Sequence, residues 1–281
     1  MLIEIDFRKT VQENAEKYFE EAKKFRKKVE AIIKEMEKTK REMEKVEEKT
    51  AKAPGKEMKK RKPRGKWYES YRWMYTTEGF LVIAGKDARQ NEMIFKKRIS
   101  QNDIVLHADI HGAPLTVVKA KETGEMPTPL SIREAAEFAG AYSSAWKLEI
   151  GEVDIYWIKP EQISKTPPAG QYLPKGSFMI RGQKNYLKKI VLKLAIGIKF
   201  ELDKEAMPYA KVIAGNVQSI NKHAKYFVTV IQGKMNAQET AKEIKRLILL
   251  KAMPEDKPLI EAIDNDDIVK MLPSGTFDIV T

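Results

Sequence analysis

Cysteine is missing from all 281 residues, which excludes disulfides, thiolate metal centres and a cysteine nucleophile. Long apolar runs are missing too. No stretch approaches the roughly 18 uncharged hydrophobic residues of a membrane-spanning helix. Met1 to Asp6 has neither the basic nor the apolar region of a signal peptide, so a cytoplasmic protein with no membrane partner is expected. No Gly-x-x-x-x-Gly-Lys-Ser/Thr loop occurs, which leaves nucleotide hydrolysis unsupported. No Gly-x-Ser-x-Gly elbow surrounds Ser143 or Ser144, so neither reads as a nucleophile. The length leaves room for one or two globular domains and an extension.

What the chain has is positive charge, unevenly placed. The formal net charge is +12. Residues 1–66 hold 22 Lys and Arg against 14 Asp and Glu, residues 67–200 hold 19 against 14, and residues 201–281 hold 11 against 12. The densest part is Lys52 to Lys66, with eight cations opposed only by Glu57. Pro54-Gly55 and Pro63 inside it point to a linker. Such a polycation binds phosphate backbones by releasing counterions, without reading sequence; the plainer reading is a solubilising connector.

Ahead of it, Val11, Ala15, Tyr18, Ala22, Phe25, Val29, Ile32, Met36, Thr39, Met43, Val46 and Thr50 recur at alternating spacings of four and three. That is a coiled-coil seam, with Lys, Arg and Glu between its members. A helix from Thr10 to Lys49 would be about 60 Å long. The seam therefore calls for a partner: its own fold-back, a second copy of the chain or another protein. Thr10 and Glu13 form a capping-box pair at its start.

In the central region, Trp67 to Tyr75 is dense in aromatics, which reads as a core segment or as a stacking platform for unpaired bases. Phe80 to Ala84 reads as a buried strand ending at Gly85, and Asn91 to Ile99 as a short helix with cations at its C-terminus. Alternation over Asp103 to Gly112 predicts His107, Asp109 and His111 on one strand face. Formally these could be a facial metal triad, but neighbours along one strand seldom converge on one ion, and polar contact with RNA or a structural network is preferred. Ser131 and Glu134 predict a capping box opening a helix through Trp146. Val153 to Ile158 reads as a strand. The Pro- and Gly-rich loop from Gln162 to Tyr172 is expected to aim Lys165 at a phosphate, or to act only as a rigid connector. Beyond residue 200, strands near Ala210–Ile213 and Tyr226–Ile231, a helix from Ala237 to Ala252 capped by Asn236, a short helix at Asp264 to Met271 and a strand at Thr276 to Val280 are predicted.

Three motifs in this order carry a resemblance: Gly85-Lys86-Asp87-Ala88-Arg89-Gln90-Asn91-Glu92, then His107-Ala108-Asp109-Ile110-His111-Gly112-Ala113, then Gln162 to Tyr172 leading into Gly176-Ser177-Phe178-Met179-Ile180-Arg181-Gly182. With Tyr142-Ser143-Ser144-Ala145-Trp146, they resemble the NFACT-R domain of the NEMF/RqcH (NFACT) family of ribosome quality-control proteins, in its archaeal form. The resemblance covers about Trp67 to Phe200, and Ile5 to Phe19 resembles the start of the family's middle coiled coil. In the family a large N-terminal domain precedes this point, so the chain is expected to be the C-terminal part of such a protein.

The expected architecture is α+β: a coiled-coil segment (residues 1–51), a basic linker (52–66), a mixed NFACT-R-like core (67–200) and a small α/β accessory module (201–281). The resemblance implies a non-enzymatic factor that binds the large ribosomal subunit, its ribosomal RNA and stalled peptidyl-tRNA, and supports tRNA recruitment for template-free tailing of the nascent chain. It assigns no catalytic residue, metal or cofactor. Charge and resemblance together assign nucleic-acid contact to Lys59, Lys60, Arg61, Lys62, Arg64, Lys66, Arg72, Lys86, Arg89, Gln90, Asn91, Lys97, Arg98, His107, Asp109, His111, Lys165 and Arg181. The rival readings are a DNA- or polyanion-binding adaptor and, behind it, a metal-dependent nucleic-acid enzyme using His107, Asp109 and His111.

Overall fold

In the computed structural model, residues 7–8, 10–51, 65–166, 173–174 and 176–280 are described, and the chain divides into two units at residues 61 and 62. The first unit is helix α1 (Val11–Ala51). The Thr10 amide donates to Glu13 Oε2 at 2.7 Å, and the Glu13 amide donates back to Thr10 Oγ1 at 3.3 Å, closing the capping box the sequence predicts. Val11, Phe25, Val29, Ile32 and Met36 of the seam are exposed. Thr39, Met43, Val46 and Thr50 lie outside the described side chains. Among the described residues no helix is long and apolar enough to cross a membrane.

The second unit is built from short, mostly buried elements: β1 (Arg72–Tyr75), β2 (Leu81–Ala84), α2 (Ala88–Lys97), β3 (Ile104–Ala108), β4 (Thr116–Val118), α3 (Pro129–Ala141), α4 (Ser144–Lys147), β5 (Glu152–Ile158), β6 (Ile163–Ser164), β7 (Met179–Ile180) and β8 (Asn185–Val191). Then come β9 (Leu194–Leu202), β10 (Pro208–Gly215), α5 (Val217–His223), β11 (Tyr226–Met235), α6 (Ala237–Lys251), α7 (Lys257–Glu261), α8 (Asn265–Val269) and β12 (Phe277–Val280). The architecture is α+β. One antiparallel sheet runs β1-β2-β4-β3-β5-β8, a second runs β10-β9-β11-β12, and β6 and β7 form a ribbon.

The first sheet is covered on both faces, which is why β2 reads as an unbroken apolar run and β3 as one interrupted only by His107. Val82, Ala84, Ile104, Leu106 and Ala108 pack with Ile132, Ala135, Ala136 and Phe138 of α3. The alternate residues Ile83, Val105, Val117, Tyr156 and Ile158 pack with Tyr68, Trp73 and Ile94 on the other side. The aromatic segment thus builds core: Tyr68 meets Trp73 at 5.0 Å between centroids, and its hydroxyl lies 3.0 Å from that of Tyr75. Trp67 alone among the tryptophans is exposed, with the Arg98 guanidinium 4.2 Å above its ring.

Several local readings shift. α2 begins at Ala88, three residues before the predicted start, because Asp87 accepts the Gln90 amide at 2.7 Å and caps it. α3 begins at Pro129, capped by Thr128, whose Oγ1 accepts the Ser131 amide at 3.2 Å. Ser131 is therefore inside the first turn and bonds Glu78 at 2.6 Å, while buried Glu134 accepts the Thr77 amide at 2.7 Å. Asn236 and Glu239 do form the capping box that opens α6.

The boundary expected after residue 200 falls inside β9, the central partner of both β10 and β11. One buried cluster runs from Met74, Val82 and Phe138 to Ile196, Val212, Val230 and Ile244, across both sheets. Lys211 of β10 pairs with Glu69, and His223 Nε2 lies 2.9 Å from the Thr76 carbonyl.

Phe138 is 1 % exposed at the centre of the α3 face, edge-on to Tyr142 at 4.8 Å. Truncation to alanine opens a cavity there and is expected to remove about 3–5 kcal/mol of stability in guanidinium denaturation. A loss below about 1 kcal/mol would mean that α3 does not close this face.

Candidate nucleic-acid interface

The site begins where β2 stops. A Cβ on Gly85 would meet Asn91 Oδ1 at 2.0 Å, so only glycine lets α2 lie this close. Buried Asn91 accepts the Leu115 amide at 3.1 Å, tying α2 to the start of β4. Gln90 bridges as well: its Oε1 accepts the Lys86 amide at 3.0 Å and its Nε2 donates to the Ser70 carbonyl at 3.1 Å.

The second motif leaves the sheet early. β3 ends at Ala108, so Asp109 lies in a bend and His111 in a turn. His107 alone remains on the strand, opposite Tyr156 in register, with ring centroids 5.9 Å apart. The predicted single face of His107, Asp109 and His111 does not form, because Asp109 donates its amide to the Asp154 carbonyl at 2.8 Å and the chain turns away. The Asp109 carboxylate accepts from Tyr186 Oη at 3.3 Å. Among the described residues no group of three or more His, Asp or Glu is placed to hold a metal ion. Ser144 Oγ donates to the His111 carbonyl and holds the turn against α4.

The third motif is clipped onto α2. Glu92 pairs with Lys165 and accepts the Gly176 amide at 3.1 Å. Those two contacts, Lys165 first, hold the Glu92 carboxyl below the usual carboxylate range. Gly176 has φ +83° and lies against Ala88, where a Cβ would approach within 2.6 Å. Lys165 Nζ also sits 4.7 Å from the centre of the Phe178 ring, and Phe178 packs on Phe95. The lysine expected to reach for phosphate thus pins this segment in place. Pro167 to Tyr172 lie outside the described residues.

All three motifs meet at one cleft of about 540 Å³. Its cations are Arg72 from β1, Lys86 from the Gly85 turn and Lys147 from α4, beside His107, His111 and Tyr142. The Arg72 guanidinium lies 4.4 Å from the centre of the Tyr142 ring and donates from Nη1 to the Gly85 carbonyl at 3.4 Å. Its Nε is buried with no hydrogen-bond partner. Tyr142 Oη donates to the Met271 carbonyl at 2.5 Å, fixing the ring beneath the guanidinium. Desolvation lowers the pKa of Lys86, with the charges of Arg72 and Lys270 adding to it. Among the described residues, none of Arg72, Lys86 and Lys147 makes an ion pair with a carboxylate. The cleft is thus an excess of positive charge in a concave, partly dry setting, where an anion gains most.

Residues 70–182 match the family model described as NFACT protein RNA binding domain, and residues 1–60 match that of the NFACT N-terminal and middle domains. The archaeal Rqc2 homolog aRqcH of Methanocaldococcus jannaschii is 46% identical over 99% of this chain. The chain belongs to the NEMF/RqcH family. It spans 40% of the length of that archaeal relative. Ribosome quality control complex subunit NEMF of Mus musculus is 32% identical over 72% of this chain and 19% of its own length. The human protein of the same name is 40% identical over 50% of this chain and 13% of its own. A solved structure of the C-terminal part of the fibronectin/fibrinogen-binding protein from Streptococcus suis aligns at TM-score 0.36 and 20% identity, over 65% of this chain and 77% of that one.

Within this NEMF/RqcH-family chain, the cleft collects Arg72, Lys86, Asn91, His107 and His111 of the predicted contact residues. Asn91 and Gln90 are engaged in the scaffold through the bonds above. Arg89, Lys97, Asp109 and Arg181 are exposed outside the cleft lining, and Arg98 stacks on Trp67. Lys66 Nζ sits 6.0 Å from the centre of the Tyr68 ring. Lys59, Lys60, Arg61, Lys62 and Arg64 lie outside the described residues. Sequence reasoning missed Lys147 and Tyr142 of the cleft lining, and outside it Lys184, whose Nζ lies 4.2 Å from the centre of the Tyr156 ring. Tyr142 and Lys147 flank the Ser143-Ser144-Ala145-Trp146 stretch, which was the available signal.

Burial is the main cause that lowers the pKa of His107, opposed by backbone interactions at Ala108 and Ala113. The folded protein therefore favours neutral imidazole, while the unfolded chain takes a proton near pH 6.5. No stability is at stake above that value; it is lost as the pH falls below it. A His107→Gln chain should therefore lose less stability between about pH 7 and pH 5 than the parent, in urea midpoints followed by circular dichroism. Parallel pH profiles would contradict a neutral, half-buried His107.

Proposed function

We propose that this chain is a non-catalytic, cytoplasmic RNA-binding factor of ribosome quality control. In this reading it contacts the RNA of the large ribosomal subunit that still carries a stalled peptidyl-tRNA, and supports tRNA recruitment for template-free tailing of the nascent chain. The observation that carries it is the cleft where three separate motifs meet and where Arg72, Lys86 and Lys147 stand with no carboxylate paired to any of them among the described residues. Phosphate is the natural counter-charge for such a cluster. Membership of the NEMF/RqcH family and the match to an RNA-binding domain model support the same reading.

The assignment of binding rather than catalysis rests on how the cleft hydroxyls are used. Ser143 Oγ donates to the Gly140 carbonyl at 2.7 Å and Ser144 Oγ donates to that of His111. Both serve turns, and neither is paired with a base. The exposed seam of α1 is where a second copy or another protein would pair. A DNA-binding adaptor remains the rival, because phosphate contacts alone do not choose between nucleic acids.

Co-sedimentation with purified large subunits, with and without peptidyl-tRNA and with excess duplex DNA as competitor, separates the two. Retention should depend on the tRNA and survive the DNA. Replacing Lys86 and Lys147 together by glutamine should weaken it about tenfold and lower the slope of log affinity against log salt by about 1–2. Equal displacement by DNA would overturn the quality-control reading.

A further inference from the structure

We infer that the cleft takes one unpaired nucleotide of an RNA strand, its phosphate against Lys86 and the Arg72 guanidinium and its base against the surface around His107 and Tyr156. This rests on the RNA-binding reading and gives it a ligand. Size is the first argument. A volume of about 540 Å³ falls within the roughly 300–1,000 Å³ of small-ligand sites. It is larger than a bare anion needs and cannot admit a duplex, whose phosphates would touch only the rim.

The lining is the second argument, because it comes in two chemistries from different elements. Arg72, Lys86 and Lys147 supply unmatched positive charge from β1, the Gly85 turn and α4. Phe178, on the approach to β7, supplies partly exposed aromatic surface, and the largely buried Tyr156 of β5 and Ile163 of β6 complete the apolar lining. A nucleotide is the ligand class that presents both an anion and a flat π-face, and single-stranded RNA is read through such splayed bases.

Pre-organisation is the third. The Arg72 guanidinium is stacked on a ring that is itself bonded to Met271, and its buried Nε has no partner. The Arg72 part of the cationic surface is thus set before a ligand arrives, and less ordering is left to oppose binding. Ser177 lies in the lining next to Gly176, which Glu92 clips to α2, so the segment that carries Phe178 is equally fixed.

The histidines provide the probe. The chain has three, of which His107 and His111 line the cleft while His223 is bonded at 2.9 Å to the Thr76 carbonyl, outside the lining. Imidazole ring proton signals of the full chain would be followed by NMR, with His111→Gln to assign them. An unpaired RNA tetranucleotide, a blunt RNA duplex, AMP and inorganic phosphate would be titrated separately. The tetranucleotide and AMP should move both cleft signals and leave His223 unmoved. Lys86→Gln, and separately Lys147→Gln, should weaken that response at least tenfold. Equal response to inorganic phosphate would reduce the cleft to a simple anion site. A response to AMP without one to the tetranucleotide would make the ligand a free nucleotide. Each of these overturns the inference. Silence toward the tetranucleotide from a chain that still sediments with large subunits also overturns it, while leaving the RNA-binding reading intact.

Discussion

The buried amide of Asn91 is the contact on which the site depends. It reaches from α2 past a residue that has to be glycine, Gly85, and accepts the backbone amide of Leu115. That bond ties α2 to the start of β4, beside the direct backbone bond from the Gly85 amide to the Leu115 carbonyl at 3.2 Å. Once α2 is held there, Asp87 can cap it, Glu92 faces the Gly176 segment, and Lys86 is left at the mouth of the cleft. A buried carbonyl oxygen left without its donor would cost about 1–3 kcal/mol, so the geometry is well enforced.

Electrostatics then follows from placement. Several partly buried lysines of the second unit are paired: Lys119 with Asp103, Lys165 with Glu92, Lys211 with Glu69. Against that background, the cations of the cleft make no ion pair among the described residues and sit beside aromatic rings and carbonyls, with the Asp87 carboxylate acting on Arg72 and Lys86 only from a distance. Burial lowers the pKa of both Arg72 and Lys86, and the Arg72 charge lowers that of Lys86 further. Such an arrangement is costly to fold and profitable only when an anion arrives.

Much of the fold was legible from periodicity and caps. The heptad helix, the strands around Val82 and Ile155, and the α6 capping box follow from local pattern and local hydrogen bonds. The three motifs, too, stood out as sequence. What local pattern does not reveal is pairing across the fold. Lys165 looked like a presented cation because nothing in its own loop announces Glu92, more than seventy positions earlier. The alternation of His107, Asp109 and His111 looked like one strand face, yet β3 is cut short where Asp109 bonds to Asp154. Tyr142 and Lys147 sit on or beside helices with ordinary amphipathic logic, and only the tertiary arrangement turns them toward the cleft.

The central claim is that RNA touches this chain at the cleft. Photocrosslinking tests it most directly: Lys86→p-benzoylphenylalanine and Lys147→p-benzoylphenylalanine chains are irradiated on large subunits carrying peptidyl-tRNA, with a Lys251→p-benzoylphenylalanine chain, altered on exposed α6, for comparison. The account predicts RNA adducts from positions 86 and 147 and none from 251. Adducts from 251 as strong as those from 86, or none from 86 on a chain that still sediments with the subunits, would contradict it.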